Sequence, residues 1–285
     1  MNRIDEPIGV IGGGRMGAGI AQVFAAMGAE VTVVEGDAAA AEAARERIRG
    51  GLDRAAERGK LTEPVADVLA RVRLGTDPAE LPAGAALVVE AVPERADLKV
   101  AVLTAAERAV SPETVLATNT SSLSIGELGA ALASPRRFLG MHFFNPVPAS
   151  KLVELVLGER TADDVRDRAL GWVRALGKTE VVVRDSPGFA TSRLGVLLGL
   201  EAIRMLEEGV ADATSIDTAM ELGYRHPMGP LRSTDLVGLD VRLAIAEYLH
   251  RTLGERFAPP RLLREKVERG ELGRKTGRGF HTWPD

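Results

Sequence analysis

The sequence predicts an α/β domain built on a parallel sheet, followed by a smaller all-α domain. Up to residue 183, short apolar runs typical of buried strands alternate with helical segments. Beyond residue 188 the strand patterns disappear, and apolar residues recur at the three- and four-residue steps of helices. The length of 285 residues is more than one ordinary core requires, so two packed domains are expected.

The first domain is expected to contain seven strands and four helices. The predicted strands are residues 8–11, 31–34, 87–91, 114–118, 138–143, 152–157 and 181–183. The predicted helices are residues 16–27, with Gly28 as the C-terminal cap, 38–58, 64–70 and 98–109. The first strand, first helix and second strand fit within about 30 residues, which is the size of one βαβ crossover.

The second domain is expected to consist of helices. The predicted helices are residues 189–208, 215–222, 239–253 and 259–268. Ser186-Pro187-Gly188 interrupts regular structure before the first of them, which places the domains at residues 1–185 and 186–285. That first helix carries apolar residues on more than one side. Such a helix often completes its core in a partner subunit, so we predict a homodimer formed through this domain.

The composition excludes several classes of protein. Hydrophobic residues make up 45% and charged residues 27% of the chain, a balance typical of soluble folded domains. No apolar run reaches the roughly 18 residues of a membrane span, and residues 1–7 lack the features of a signal peptide. The net charge of -4 favours no nucleic-acid partner. With no cysteine and four scattered histidines, we expect no metal site and a cytoplasmic location.

A glycine-rich turn follows the first predicted strand. Residues 12–17 read Gly-Gly-Gly-Arg-Met-Gly, which is the GxGxxG spacing between a strand and a helix. In this arrangement Gly12 permits the tight turn, Gly14 lets a pyrophosphate approach the backbone, and Gly17 lets helix and strand pack closely. The N-terminus of the helix then binds the pyrophosphate. The pattern predicts a Rossmann-like dinucleotide site, although a glycine-rich turn without a ligand would have the same spacing.

An acidic residue indicates which dinucleotide binds. Glu35 ends the second predicted strand, about 20 residues after the glycine turn. Its carboxylate can accept hydrogen bonds from the ribose hydroxyls and would repel a 2′-phosphate. No arginine follows before Arg45, so NAD(H) is favoured over NADP(H). A solvated strand end is the alternative interpretation of Glu35.

A histidine and a glutamate form the candidate catalytic pair. His142 lies within an apolar strand, and Glu154 follows twelve residues later in the next strand. A carboxylate that holds one imidazole nitrogen fixes the tautomer and stabilises the imidazolium formed when the other nitrogen takes a proton. A structural histidine and a solvated glutamate would have the same spacing, so spacing alone leaves both interpretations open.

Seven motifs stand in a fixed order and cover almost the whole chain. They are residues 12–17, 90–94 (EAVPE), 119–123 (NTSSL), 140–148 (GMHFFNPVP), 185–189 (DSPGF), 226–230 (HPMGP) and 273–280 (GRKTGRGF). In this order they resemble the motifs of the L-3-hydroxyacyl-CoA dehydrogenases. One such motif would be modest evidence, whereas seven in register are strong. The resemblance implies a Rossmann-like domain plus a helical dimerisation domain, which agrees with the division made from the hydrophobic patterns.

The resemblance also implies roles for individual residues. His142 matches the family's catalytic base, and Glu154 matches the carboxylate that orients it. Ser121 matches a hydroxyl residue near the substrate's 3-oxygen and the nicotinamide, and Asn145 matches an amide in the same pocket. Without the resemblance, Ser121 would be interpreted as a helix N-cap and Asn145 as a turn residue.

The cofactor that the resemblance implies is NAD. The residues expected to bind it are Gly12, Gly14, Arg15, Met16, Gly17, Glu35, Ala91, Glu94, Lys99, Ser121, Asn145 and Lys275. Glu94 and Lys99 match family residues around the nicotinamide half, and Lys275 matches a C-terminal lysine that also reaches the cofactor. A solvated helix charge is the alternative for Lys99.

The residues expected to contact substrate are Ser121, Asn145, Ser192, Arg54 and Lys60. Arg54 and Lys60 belong to the basic region after the second strand and could bind the phosphates of coenzyme A, although a solvated face would have the same composition. Ser192 departs from the family, which usually has asparagine there, and the shorter serine would need a bridging water. His281 stands where the family often has tyrosine, and we expect it at a surface or interface edge.

The predicted function is that of a β-oxidation oxidoreductase. It would interconvert an L-3-hydroxyacyl-CoA and a 3-oxoacyl-CoA by hydride transfer with NAD(H), on a short chain such as 3-hydroxybutyryl-CoA. Three alternatives stay open at this point. The chain could be a related dehydrogenase of a free hydroxy acid or sugar acid (the lambda-crystallin type), a non-catalytic NAD(H)-binding protein, or a detached module of a larger β-oxidation complex.

Overall fold

The computed structural model describes residues 3–284, which form two compact units. The first unit ends at Ser186 and the second starts at Pro187. This division lies one residue after the predicted boundary between residues 185 and 186. Met1, Asn2 and Asp285 belong to the predicted domains but lie outside the described residues.

The first unit is built on one eight-stranded sheet. Its strands are β1 Ile8–Ile11, β2 Val31–Val34, β3 Val72–Gly75, β4 Leu87–Glu90, β5 Val115–Thr118, β6 Phe138–Phe143, β7 Leu152–Leu157 and β8 Thr179–Arg184. The strand order is β3-β2-β1-β4-β5-β6-β7-β8. β1 to β6 are parallel, β7 is antiparallel to β6, and β8 is parallel to β7. The predicted α/β fold is confirmed, but the sheet is mixed rather than wholly parallel.

The change of direction at β7 follows from the short connection before it. Residues 144–151 alone join β6 to β7. A parallel connection needs a dozen or more residues, usually including a helix, whereas antiparallel neighbours need only a short loop. His142 and Glu154 consequently lie opposite each other across the β6–β7 pair.

Six α-helices belong to this unit in the described part of the chain. They are α1 Arg15–Ala26, α2 Ala38–Glu57, α3 Val65–Ala70, α4 Ala96–Ala109, α5 Ile125–Gly129 and α6 Asp163–Ala175. All residues of β1, β2, β4 and β5 are buried, as expected for central parallel strands covered on both faces. The loops after these strands share the carboxyl edge of the sheet, where open α/β sheets bind ligands.

The hydrophobic pattern does not predict β3, α5 or α6. β3 is a four-residue strand at the sheet edge with Arg73 exposed, and α5 has only five residues. α6 has 13 residues with many charges, and its apolar stripe reduces to Val165, Ala169, Trp172 and Val173. Segments this short or this charged carry little periodic signal, because only a narrow face is buried.

The second unit is built from α-helices and, in its described residues, contains no β-strand but two isolated β-bridges, Gly273 with Arg278 and Arg278 with Thr282. The helices are α7 Thr191–Glu207, α8 Ala213–Gly223, α9 Pro230–Val237, α10 Leu239–Leu253 and α11 Arg261–Glu268. The sequence pattern predicts four of these five and misses α9. That helix begins at Pro230, whose fixed φ suits the first helical position. It ends at Gly238, whose φ of 101° stops the helix before α10 begins.

The core of the second unit lies among α7, α9 and α10. Its buried apolar residues include Val196, Leu200, Ile203, Leu231, Leu239, Ala246 and Leu249. Gly199 allows α7 to approach α9 closely, because a Cβ there would lie 2.9 Å from Thr234 Oγ1. None of the helices within residues 3–284 is long and apolar enough to cross a membrane.

Candidate active site

The turn after β1 has the backbone geometry that the glycine pattern predicts. Gly12 adopts a φ of 91°, a left-handed conformation that glycine tolerates without strain. A Cβ on Gly17 would lie 1.7 Å from the carbonyl oxygen of Gly12, closer than any real contact. Both glycines are therefore required for β1, the turn and α1 to pack as they do.

The N-terminus of α1 can hold an anionic group. Gly14 is the N-cap residue, and the first turn of α1 has neither a side-chain cap nor an acidic residue. Its backbone N–H groups can therefore bind a ligand, and the helix dipole favours negative charge there. A Cβ built at Gly14 meets no heavy atom of the described residues within 4 Å, so the approach is open. With Arg15 exposed and Met16 half-buried beside it, this end of α1 fits the pyrophosphate of NAD.

Glu35 is joined to the glycine turn by a hydrogen bond. It follows β2, and its Oε1 accepts the backbone N–H of Gly13 at 2.7 Å. At the carbonyl group of the same residue, Arg47 Nη1 donates to the oxygen of Gly13 at 3.2 Å. Glu35 is half-buried, so its interpretation as a merely solvated strand end is wrong. The two parts of the dinucleotide pattern are held next to each other.

A buried charge cluster lies at the end of β4. Lys99 is 1% exposed, and its Nζ lies 2.8 Å from Glu90 Oε1 and 3.3 Å from Glu94 Oε2. Glu90 is fully buried and also accepts hydrogen bonds from Thr118 Oγ1 and from the backbone N–H of Val92. The interpretation of Lys99 as a solvated helix charge is therefore wrong.

Glu94 connects this cluster to the loop after β5. Its Oε1 accepts hydrogen bonds from Thr120 Oγ1 at 2.6 Å and from the backbone N–H of Ser121 at 2.9 Å. A carboxylate from the neighbouring loop thus fixes the backbone that carries Ser121. The N-cap of α5 is Ser124, whose hydroxyl accepts the N–H of Glu127 at 3.2 Å. The interpretation of Ser121 as a helix N-cap is therefore wrong.

His142 and Glu154 form a buried pair across β6 and β7. They are register partners, and His142 Nδ1 lies 2.8 Å from Glu154 Oε2. His142 is 6% exposed and Glu154 is fully buried, so the interpretation of Glu154 as a solvated glutamate is wrong. The Phe144 ring lies 4.3 Å from the imidazole, measured between centroids. Because the carboxylate comes from a neighbouring strand, the imidazole is held in one orientation.

A basic cavity of about 700 Å³ lies beside α2. The cationic side chains that line it are Arg15, Arg47, Arg54, Arg58 and Lys60. Glu46 is the one acidic side chain among its described lining residues, and Asn145 also lines it. The structure thus gathers Arg54 and Lys60, predicted from the sequence, around one space with a strong positive charge, which suits phosphate groups.

Two predicted site residues belong to the second unit. Ser192 lies in the first turn of α7 and is half-buried. Lys275 Nζ lies 2.6 Å from each carboxylate oxygen of Asp240. Burial alone would raise the pKa of Asp240, but the hydrogen bonds from Lys275 and from the backbone N–H of Val241 lower it overall. Asp240 is therefore the ionised partner of Lys275.

The side chain of His281 is mostly covered by the second unit, so the prediction of a surface position is wrong, while the alternative of an interface edge stays a prediction. Its side chain is 10% exposed, and its Nε2 lies 2.8 Å from Asp217 Oδ2. Asp217 also accepts the backbone N–H groups of Leu231 and Arg232, at 2.7 and 2.9 Å. This carboxylate joins the C-terminal segment to the start of α9, a contact that the sequence does not reveal.

The two units match the two halves of one enzyme family. Residues 7–186 match the family profile of the 3-hydroxyacyl-CoA dehydrogenase NAD-binding domain, and residues 188–283 match that of the C-terminal domain. This chain belongs to the 3-hydroxyacyl-CoA dehydrogenase family. The predictions of this family, of an oxidoreductase and of NAD as its cofactor are confirmed.

Relatives of this dehydrogenase support the same assignment along its whole length. The 3-hydroxybutyryl-CoA dehydrogenase of Mycobacterium tuberculosis strain H37Rv is 44% identical, over 98% of this chain and 98% of its own. A probable 3-hydroxybutyryl-CoA dehydrogenase of Bacillus subtilis is 42% identical, over 98% of each chain. The crystal structure of (S)-3-hydroxybutyryl-CoA dehydrogenase from Ralstonia eutropha has a TM-score of 0.93 at 39% identity. That match covers 99% of this chain and 100% of the other.

Sequence reasoning missed two residues that support the site of this dehydrogenase. Glu90 forms the base of the cluster with Lys99, and its signal was a carboxylate at the end of an otherwise apolar strand. Asn119 Oδ1 accepts the backbone N–H of Phe143 at 2.8 Å and so joins the loop after β5 to β6 beside His142. No local pattern indicates this contact, because 24 residues separate its partners.

Proposed function

We propose that this dehydrogenase interconverts an L-3-hydroxyacyl-CoA and a 3-oxoacyl-CoA with NAD(H), on a short chain such as 3-hydroxybutyryl-CoA. The observation that carries the proposal is the buried pair of His142 and Glu154, whose side chains lie 2.8 Å apart. Relatives named 3-hydroxybutyryl-CoA dehydrogenases support the short chain. An imidazole held by a buried carboxylate is the arrangement of an acid–base catalyst, which favours an enzyme over a protein that only binds NAD.

His142 acts as the base in this proposal. When the Nδ1–H group of His142 donates a hydrogen bond to Glu154, the lone pair of the neutral ring is at Nε2. In the oxidation, Nε2 takes the proton of the 3-hydroxyl group, and Glu154 stabilises the imidazolium that forms. In the reduction, the same nitrogen returns the proton to the 3-oxygen. When bound, NAD supplies the acceptor for the hydride that leaves C3.

Ser121 and Asn145 orient the reacting carbon in this proposal. Ser121 holds the 3-oxygen by its hydroxyl group, and its loop is fixed by the hydrogen bonds to Glu94. Asn145 follows β6 three residues after His142 and supplies an amide to the same pocket. Positioning of this kind contributes more to the rate than proton transfer does. The reason is that the entropy needed to align the reacting groups is lost when the substrate binds and not during the reaction.

NAD binding is assigned to the carboxyl edge of the sheet. The N-terminus of α1, with Arg15 and Met16, takes the pyrophosphate, and Glu35 takes the ribose hydroxyls. Ala91 borders the same turn, since a Cβ on Gly12 would lie 2.9 Å from its carbonyl oxygen. The absence of a side chain at Gly12 therefore lets the two strand ends approach each other.

The nicotinamide half is assigned to residues that the family pattern implies. Glu94 and Lys99 support it by fixing the loops after β4 and β5, because the exposed Glu94 binds both the buried Lys99 and the backbone N–H of Ser121. Lys275 of the second unit keeps the role that the family implies, with Asp240 holding its ammonium group in place. Ser192 is likewise assigned to substrate on the family pattern alone.

Coenzyme A is assigned to the basic cavity beside α2. Arg54 and Lys60 would bind its phosphates, and the surrounding arginines add to the positive field.

A second copy of the chain is assigned to the apolar surface of the second unit. Exposed apolar side chains on α7, α9 and α10 are Leu194, Leu197, Leu236, Val237 and Val241. The cytoplasmic location stays a prediction.

A substrate panel followed by NADH absorbance tests this function. We expect turnover with acetoacetyl-CoA and NADH, and with 3-hydroxybutyryl-CoA and NAD, at rates far above those with free hydroxy acids or sugar acids. Faster turnover of a free acid would favour the lambda-crystallin type of dehydrogenase. Tight NADH binding with no turnover of any acyl-CoA would contradict the proposal and favour a non-catalytic protein.

A further inference from the structure

Lys178 places a buried ammonium group against the loop of residues 144–151, between β6 and β7. The residue lies between α6 and β8 and is 9% exposed. Its Nζ donates to the carbonyl oxygens of Val147 at 2.7 Å and of Ser150 at 2.6 Å. Within residues 3–284 no carboxylate forms an ion pair with Lys178, and burial lowers the pKa of its ammonium group. The two carbonyl groups therefore compensate the removal of this charge from water.

Backbone contacts fix Lys178 at its own place in the fold. Gly177 has a φ of 66°, which ends α6 and turns the chain toward β8. The backbone N–H of Lys178 then donates to the carbonyl oxygen of Val173 at 3.1 Å. The next residue, Thr179, donates its N–H to the carbonyl oxygen of Lys151 at 2.6 Å, where β8 begins beside β7. The ammonium group thus extends from a fixed backbone and can anchor the loop.

The helix α1 holds the same loop through Val147. This residue is 2% exposed, and a Cβ on Gly19 would lie 2.9 Å from the Cβ of Val147. Within the loop, the N–H of Ser150 donates to the carbonyl oxygen of Pro146 at 2.9 Å. Residues 145–149 line the basic cavity beside α2. The loop is therefore a wall of this cavity, held by α1 through a side chain and by Lys178 through two carbonyl groups.

The loop also carries a residue assigned to the reaction. Asn145 lies two residues before Val147, and His142 lies near the end of β6, where the loop starts. A displacement of the loop would therefore move Asn145 relative to His142 and change the wall of the cavity at the same time. A misplacement of about 1 Å can cost about 10²-fold in rate when reacting groups must be aligned.

We propose that Lys178 is a positioning residue of this dehydrogenase, which holds the loop of residues 144–151 so that Asn145 and the wall of the coenzyme A cavity keep their places. This inference rests on the proposed function, which assigns coenzyme A to the cavity and Asn145 to the reacting carbon. Lys178 is not among the described residues that line the cavity, so it acts through the loop. Its two hydrogen bonds suit this role, because a charged donor binds a carbonyl oxygen more strongly than a neutral one does.

Steady-state kinetics with acetoacetyl-CoA and NADH test the proposal in the full-length protein. Lys178→Met keeps most of the side-chain length but removes both hydrogen bonds. We expect the KM for acetoacetyl-CoA to rise about tenfold or more and kcat to fall about tenfold, since one hydrogen bond from a charged group accounts for such a factor. A merely structural role would leave KM unchanged, because KM, unlike kcat, does not depend on how much of the enzyme is folded.

Arg137→Met is the matched control. Arg137 is another buried cation of the first unit, and its guanidinium donates to the backbone carbonyl oxygens of Thr114 and Glu107. It precedes β6 and is not among the described residues that line the cavity. Its removal should lower the midpoint of thermal unfolding but leave the KM for acetoacetyl-CoA within about twofold of the wild type.

A second variant keeps the proposal testable if Lys178→Met does not fold. Lys178→Gln keeps an amide donor, but its side chain is shorter and neutral. We expect it to fold and to raise the KM for acetoacetyl-CoA by about threefold or more, since a neutral hydrogen bond replaces a charged one.

Two results would overturn the role of Lys178. One is a KM that changes by less than about threefold in Lys178→Met or, if that variant does not fold, in Lys178→Gln. The other is an equal rise of KM in Arg137→Met, which would show that loss of stability alone alters the cavity. Both results leave the proposed function intact, because the wild type still turns over acyl-CoA. Absence of wild-type turnover with every acyl-CoA contradicts the proposed function itself.

Discussion

The ammonium group of Lys99 and the carboxylate of Glu90 are both removed from water. Removing two charges from water costs more than their attraction returns unless further hydrogen bonds satisfy the pair. Here the carbonyl oxygen of Val92 accepts from Lys99 at 3.1 Å, and Thr118 Oγ1 donates to Glu90 at 2.6 Å. The cluster therefore holds the loops after β4 and β5 in one arrangement.

Removal of the cation from this cluster should destabilise the protein strongly. Lys99→Met leaves the carboxylate of Glu90 buried without its partner, so we expect a loss of about 3–5 kcal/mol in the free energy of unfolding. Urea denaturation measures this change. Lys151→Met is the control, because Lys151 is exposed, and its free energy of unfolding should change by less than about 0.5 kcal/mol. Equal midpoints for the two variants would show that the cluster contributes no stability.

The elements around the glycine turn could be predicted because their signals are local. The turn, the helix after it and Glu35 all follow from residues within one βαβ crossover. The pairing of His142 with Glu154 could also be expected, since a short loop joins two apolar strands. In both places the residues that form the sequence pattern are also the residues that contact each other in the fold.

Other parts of the site could not be predicted, because their partners come from separate elements. The cluster around Lys99 combines the end of β4, the start of α4 and the end of β5. His281 meets Asp217 from 64 residues away. The residue types lysine and histidine do not by themselves predict burial. In both cases a carboxylate from a distant part of the sequence partners the side chain that is buried.

Several large apolar side chains of the second unit are exposed to solvent, more than is expected for the surface of a helical domain without a partner. Leu194 is 67% exposed on α7, and Val237 is 45% exposed at the end of α9. Such surfaces normally mark a protein partner, and we propose that a second copy of the same chain covers this one. The core of α7 to α10 would then continue across a two-fold axis.

Charges on this surface should dissociate the proposed dimer. We expect light scattering after size exclusion to give a dimer for the wild type and a monomer for the double variant Leu194→Glu, Leu197→Glu, since each buried carboxylate would lack a partner. Val182→Glu is the control, because Val182 is also an exposed apolar residue but lies on β8 of the first unit. A wild-type monomer, or dissociation by the control alone, would contradict an interface formed by the helical unit.

The central claim for the whole molecule is that His142, held by Glu154, moves the proton, whereas NAD affinity depends on other residues, the glycine turn after β1 and Glu35 after β2. Single-turnover formation of NADH from 3-hydroxybutyryl-CoA, together with NADH affinity from fluorescence titration, tests it most directly in His142→Gln. The variant should lose about 10²–10⁴-fold in rate, with an NADH Kd within about twofold of the wild type. His250→Gln serves as the control, because His250 contacts only the exposed Glu255 among its described ion-pair partners, and it should keep the wild-type rate. A near wild-type rate in His142→Gln would contradict the account.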